Sequence, residues 1–313
     1  MEKTVKGVVF SLISVLFVAA VGIIVGQGDF SLHEILSSPV TELRFFRLLA
    51  ALLIGGALSL SGMVFQAVLR NPLAEPYILG ISAGAGVGAA AAFISGLTAI
   101  SVYSVPVAAL CGALLTLFLV LRISIGGDGE KLLLSGVIAG PICSSVLMFL
   151  LSTASSDEVA AASWWLLGDL QSVNESLLLP MGVVTAVALL FLIWNAGVLD
   201  VLALGDREAF FLGVDVKKQT IAMVVCASLL AAMSVALAGA VGFCGLVVPH
   251  VVRRIFSVSH RKNVLFIFLW GGIFLMICDI LSRIVLPGRE LPIGIATSVI
   301  GGPVFLWILN KRH

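Results

Sequence analysis

Long apolar stretches separated by short polar ones run the length of the chain. Ten runs can be marked: Val8–Gly26, Phe45–Leu69, Tyr77–Gly96, Val102–Leu121, Leu132–Leu151, Leu177–Val198, Thr220–Ala240, Val241–Phe256, Val264–Ile284 and Pro292–Leu309. Most hold about 20 residues, the length a helix needs to cross ~30 Å of hydrocarbon at ~1.5 Å per residue. The pattern predicts an all-α, polytopic membrane protein of about ten transmembrane helices. Lipid tolerates no exposed irregular backbone, so the runs are expected to form one transmembrane domain over 1–313. The eighth run is the shortest and contains Pro249, which predicts a broken or tilted helix.

Charge sets the orientation. Threading the runs alternately from a cytoplasmic N-terminus places Lys3, Lys6, Arg70, Arg122, Lys131, Arg207, Lys217, Lys218, Arg253, Arg254, Arg261, Lys262, Lys311 and Arg312 inside. Both termini are then cytoplasmic, as the bias of Lys and Arg toward inner loops requires. Only Arg44, Arg47, Arg283 and Arg289 fall outside. Arg44 and Arg47 are three apart and share a face at the expected start of the second helix, where cations oppose the helix dipole. Headgroup snorkelling is the simplest role for such residues, though it suits a disfavoured pair poorly. Arg283 has Asp279 four residues before it as a candidate partner.

Composition agrees with a bilayer setting: 60% of residues are hydrophobic and 11% charged, against about 25% charged in soluble domains. The basic residues are spread over loop ends, so no nucleic-acid partner is expected. The first run is too long for the core of a signal peptide and lacks a small-residue cleavage site, so no cleavage is expected. Cys111, Cys143, Cys226, Cys244 and Cys278 lie in apolar runs without metal-ligand spacing and read as small buried hydrophobes. His33, His250, His260 and His313 are scattered; His250 reads as a packed or interfacial side chain. No metal or other cofactor is expected.

Four connections carry enough length or polarity to matter. Gln27–Arg44, Ser152–Ser176 and Pro287–Leu291 are expected outside, the second bringing Trp164 and Trp165 to the interface belt. Leu199–Gln219 is the longest inner loop. Gly80, Gly84 and Gly88 recur every fourth residue, as do Gly22 and Gly26. Such stripes let helices of one chain pack closely; a moving, path-lining helix is the alternative use.

Some chemistry is missing. There is no G-x-x-x-x-G-K-[ST] phosphate-binding loop, so any ATP that drives this protein binds another chain. Asp279 is the only acidic residue within the ten runs, which argues against an ion-coupled secondary transporter. No paired acids, Ser–His pair or metal cluster suggests an intramembrane enzyme. Within the inner loop, ALGDREAFFLGVDV (203–216) reads as a short amphipathic helix. Asp206 and Glu208 stand near its start, Gly213 offers a left-handed stop, and Ala209, Phe210, Phe211 and Leu212 form an exposed apolar ridge. Such a ridge either lies in the membrane interface or fits a protein groove. Pro72 and Pro76 end helices in RNPLAEP, where Arg70 and Asn71 are placed to satisfy free carbonyls.

Four ordered blocks make a larger pattern: RFFRLLAALLIGGALSLSGMVFQAVLRNPLAEPYILGISAGAGVGA (44–89), LALGDREAFFLGVDV, LAGAVGFCGLVVPHVVRR (237–254) followed by SHRKN, and CDILSR with ELPIGIATSVIGGPVFLWIL ending at Leu309. In these blocks the chain resembles the FecCD family, the permease subunits of ATP-binding-cassette importers for iron chelates, haem and vitamin B12. The resemblance implies a type II importer permease fold without catalytic residues. It also implies a second permease copy or paralogue, two ATPase subunits, an extracytoplasmic substrate-binding protein, and residence in the cytoplasmic membrane. Ferric siderophore is the implied cargo, with haem, cobalamin and molybdate as alternatives. By the same resemblance Gly205, Asp206, Arg207, Glu208, Phe210, Phe211, Leu212 and Gly213, within the loop 199–219, would couple to the ATPase. Arg70, Asn71 and Pro72 are a candidate inner-turn contact. Arg44, Arg47 and Arg283 would receive acidic residues of the binding protein. Two departures stand out: Phe46 where the family usually has proline, and Asp169 in WWLLGDL where it usually has serine.

Overall fold

The computed structural model of the chain describes residues 2–26, 39–124, 129–171, 173–256, 259–286 and 288–310. His33 and most of Gln27–Arg44, Pro287, Lys311, Arg312, His313 and the Lys3 side chain lie outside the described residues. Thirteen α-helices are present among those described: α1 (Glu2–Ile24), α2 (Pro39–Val68), α3 (Ile81–Ile94), α4 (Ser104–Ser124), α5 (Gly129–Thr153), α6 (Ser156–Leu166), α7 (Leu178–Trp194), α8 (Ala196–Leu202), α9 (Asp206–Phe211), α10 (Val216–Ala238), α11 (Cys244–Ile255), α12 (His260–Ile284) and α13 (Ile293–Asn310).

Each of the ten apolar runs forms one helix. The three extra helices lie in the two longest connections: α6 beyond α5, and α8 and α9 in the inner loop. Ser155 opens α6 through a capping box with Glu158, a signal present in the sequence but not read above. Among the described residues seven helices are long and apolar enough to cross a bilayer; α3 and α13 are shorter apolar helices. The chain is a multi-pass membrane protein. The eighth run is interrupted, but at Phe243 and not at Pro249, the residue expected to break it. Helix α11 begins only at Cys244, after Phe243 takes the left-handed conformation at φ 66°, and Pro249 lies inside it.

Helix α2 is the axis of the fold. Its middle is apolar on most sides and is largely buried in the protein, as a helix without a broad polar face requires. It packs on α10, α11 and α12. At 30 residues it is about 45 Å long, so its two ends lie near opposite faces of the membrane. The glycine stripe of α3 is used within the chain. A Cβ on Gly84 would stand 2.1 Å from Thr116 Oγ1, and one on Gly88 2.0 Å from Ala108 O, both on α4. Backbones in such contact leave room only for hydrogen. Gly80 is not part of that stripe; at φ 72° it is the left-handed link between the 3-10 turn Pro76–Leu79 and α3.

Among the cysteines, all five free, Cys244 and Cys278 are buried, Cys143 and Cys226 half-buried, and Cys111 is exposed on the apolar surface, which corrects the expectation that all five are interior. His250 is a packed side chain, its ring edge-on to Phe305 at 6.1 Å.

Candidate functional site

The residues singled out by sequence gather at the two ends of α2. At one end α2 meets the last turns of α1 and α12. The helix begins at Pro39, so Arg44 and Arg47 lie beyond its first turn and escape most of the dipole penalty expected of them. Nor do they project outward. Arg44 is 7% exposed and Arg283 3%. Arg44 Nη1 donates to Ile23 O at 2.8 Å, covering a carbonyl left open at the end of α1. Arg283 Nη1 does the same for Gly22 O at 3.0 Å.

Asp279, fully buried, is the hub. Its Oδ1 accepts from Arg47 Nε at 2.5 Å. Its Oδ2 lies 3.1 Å from Arg283 Nη2, an ion pair whose angles fall short of hydrogen-bond geometry. The i,i+4 partner expected for Arg283 is therefore present. The second half of the Arg47 fork donates from Nη1 to Glu290 Oε2 at 2.6 Å. Two buried guanidinium groups thus share one buried carboxylate, and Glu290 from the loop before α13 supplies a second. Sequence reading missed Glu290, because nothing in the local pattern ties it to a residue 243 positions away.

At the other end of α2 the chain turns at Arg70, which holds φ 49°. Arg70 and Asn71 do not satisfy free carbonyls with their side chains, as was expected. Asn71 Oδ1 accepts from Leu73 N at 2.9 Å, an Asx turn that leads into Pro72–Ala74. Arg70 reaches the inner loop instead, with Nη2 3.3 Å from Asp206 Oδ1, both side chains partly exposed. Helix α9 is thereby tied to the end of α2.

Gly205 at φ 133° opens α9, so Asp206 is its first residue rather than its cap. Glu208 also stands in the first turn, where the dipole favours an acid. Gly213 at φ 81° closes it: Gly213 N donates to Phe210 O and Val214 N to Ala209 O, both at 3.0 Å. The apolar ridge needs one correction. Ala209 is buried against the protein, while Phe210, Phe211 and Leu212 are 72%, 74% and 62% exposed. Six residues give under two turns, so one side chain in the middle must face the body. Arg207 stacks over the Phe211 ring at 5.9 Å.

Two acids brace this end further. Asp215 caps α10, accepting from Lys218 N at 3.2 Å, with Lys218 Nζ 3.0 Å away; these Lys218 contacts hold its carboxyl below the usual range. On α8, Asp200 caps a helix from outside it. Its carboxylate accepts from His260 N at 2.8 Å and Ser259 Oγ at 2.9 Å, and lies 2.7 Å from His260 Nδ1. Partial burial works against its charge, but these hydrogen bonds outweigh it and lower the Asp200 pKa. Among the described residues no group of three His, Cys, Asp or Glu side chains could hold a metal ion.

A model of the FecCD transport family matches residues 9–311. The vitamin B12 import system permease protein BtuC of Salmonella paratyphi A is 37% identical over 275 residues, covering 87% of this chain and 83% of the relative. The BtuC of Salmonella typhi is 36% identical over the same shares. A solved structure described as an inward-facing metal-chelate type ABC transporter superposes with a TM-score of 0.90 at 27% identity, covering 98% of this chain and 99% of that one. PsaBC from Streptococcus pneumoniae, solved in complex with a Fab, shares the fold at a TM-score of 0.61 and 16% identity, covering 85% of this chain and 91% of that one.

Proposed function

This chain belongs to the FecCD transport family, and from that premise we propose that it is the permease subunit of an ATP-binding-cassette importer. Its cargo is a bulky metal chelate, with ferric siderophore first and haem, cobalamin or molybdate behind it. The permease performs no covalent chemistry. Two ATPase subunits bind it from the cytoplasm, and their ATP-driven closure is converted into alternating access. A second permease copy or a paralogue completes the path, and an extracytoplasmic binding protein delivers cargo. The chain lies in the cytoplasmic membrane as one transmembrane domain, 1–313, with both termini inside and 199–219 as its coupling loop.

One observation carries the reading. Helix α9 lies outside every span, offers Phe210, Phe211 and Leu212 to its surroundings, and is pinned to α2 by Arg70 and Asp206. An apolar ridge on a braced helix suits a groove on a partner. Gly205 and Gly213 fix where the helix starts and stops, Glu208 stabilises its first turn, and Arg207 holds Phe211. The turn Arg70–Asn71–Pro72 then acts as support behind α9 as much as a contact of its own. At the opposite end, the binding protein docks where Arg44, Arg47 and Arg283 cluster. Acidic groups of that partner approach the rim of this cluster, where Arg47 and Glu290 are only partly covered.

The test is the triple replacement of Phe210, Phe211 and Leu212 by Ser. Apolar anchors in a groove contribute ~1–3 kcal/mol each. ATPase co-purification and transport-coupled hydrolysis are expected to fail while the membrane helices still fold. Survival of both would leave α9 an interfacial loop and remove the reading's main support.

A further inference from the structure

At the end of the bundle that carries α9, a cavity of about 490 Å³ opens between the end of α4, the start of α5, the start of α10 and the end of α2. Its size falls in the roughly 300–1,000 Å³ range of small-ligand sites. The floor is apolar: Val68, Leu132 and Val224 are buried. The sides carry Phe118 and Ile221, 56% and 45% exposed on two membrane-spanning helices. Both are open at the protein surface of those spans.

The mouth is basic. Arg122 lies two residues before the end of α4, and Lys217 in the first turn of α10, both where a span reaches the headgroup layer. The acid that lines the cavity, Asp206, is already paired with Arg70 at 3.3 Å. Arg122 rests over the Phe118 ring at 5.7 Å, and no carboxylate meets it among the described residues. An apolar cleft open at the surface of two spanning helices, with two cations at its headgroup end, has the chemistry of a lipid site and not of a soluble anion site, whose floor would be polar.

We propose that this cleft binds one anionic phospholipid. The phosphate lies between Arg122 and Lys217, and an acyl chain follows Phe118, Leu121 and Ile221. The lipid then abuts Asp206 and Val68, the base of α9 and the last residue of α2. The proposal does not depend on the identity of the cargo or on which partner covers α9.

Native mass spectrometry tests it on the chain purified from its membrane with the subunits that accompany it. After delipidation, phosphatidylglycerol and phosphatidylcholine are titrated back separately and in competition. The wild type is expected to retain one phosphatidylglycerol in preference to phosphatidylcholine. With each headgroup cation contributing about 1 kcal/mol, Arg122→Gln with Lys217→Gln is expected to bind it on the order of 30-fold more weakly. Arg122→Lys with Lys217→Arg is expected to keep it. Inorganic phosphate is expected not to displace the lipid. Equal retention of the two lipids by the wild type, which requires no variant to fold, would overturn the proposal. So would unchanged phosphatidylglycerol binding in the doubly neutral variant, or displacement by phosphate.

Discussion

Replacing Asp279 by Asn removes the one carboxylate that two buried arginines share. Asp279 is 0% exposed and Arg283 3%, and their charged ends lie 3.1 Å apart. In the variant Arg283 keeps Gly22 O and the Asp279 carbonyl as acceptors but loses its counter-charge. Breaking a buried pair by removing one partner costs roughly 3–5 kcal/mol, because the remaining charge stays buried and uncompensated. Glu290→Gln removes the other carboxylate on Arg47, yet its side chain is 27% exposed and Arg47 keeps Asp279. Exposed pairs contribute ~0–1 kcal/mol. The two variants should therefore differ by at least ~2 kcal/mol, and Asp279→Asn should lower the unfolding midpoint by about 6 °C or more. Buried Cys244 and Cys278 report unfolding through a thiol-reactive dye, read in a Cys111→Ser background so that the exposed thiol adds no signal. An Asp279→Asn midpoint within a degree of wild type, or a Glu290→Gln loss as large, would refute the view of Asp279 as the hub.

Three further outcomes follow from the same geometry. Reversing Arg47 to Glu would set a third carboxylate beside Asp279 and Glu290 and is expected to unfold this end, so docking is better probed with Arg44→Gln. That variant should fold and bind the partner protein more weakly, with the deficit largest at low salt; unchanged affinity at low salt would remove Arg44 from the interface. Asp200 contributes stability through its lowered folded-state pKa. That contribution is full above the unfolded carboxylate value of ~3.9 and is lost as pH falls through the lower folded value. Asp200→Asn should therefore be less stable than wild type at neutral pH, with the gap closing in acid, as read by tryptophan fluorescence; a gap independent of pH would show that charge is not the cause. Finally, without a phosphate-binding loop the chain alone should hydrolyse no ATP, and turnover in an ATPase-free preparation would count against the proposed role.

The sequence by itself determined the number of apolar helices and, through the four blocks, the family. Length and apolarity are local properties, and bilayer thickness converts them directly into spans. A local signal also set the Gly213 stop of α9, since caps depend on neighbours within a few residues. The i,i+4 pairing of Asp279 with Arg283 was legible for the same reason. What only the tertiary structure decided is where long side chains end. Arg44 and Arg47 read as outward cations because the positive-inside rule assigns a side of the membrane, not a direction. Their guanidinium groups turn inward because the end of α1, Asp279 and Glu290 offer acceptors there. Arg70 likewise reaches Asp206, 136 positions away, and Asp200 caps α12 from α8. Such partners are brought together by helix packing alone, and no periodicity along the chain encodes them.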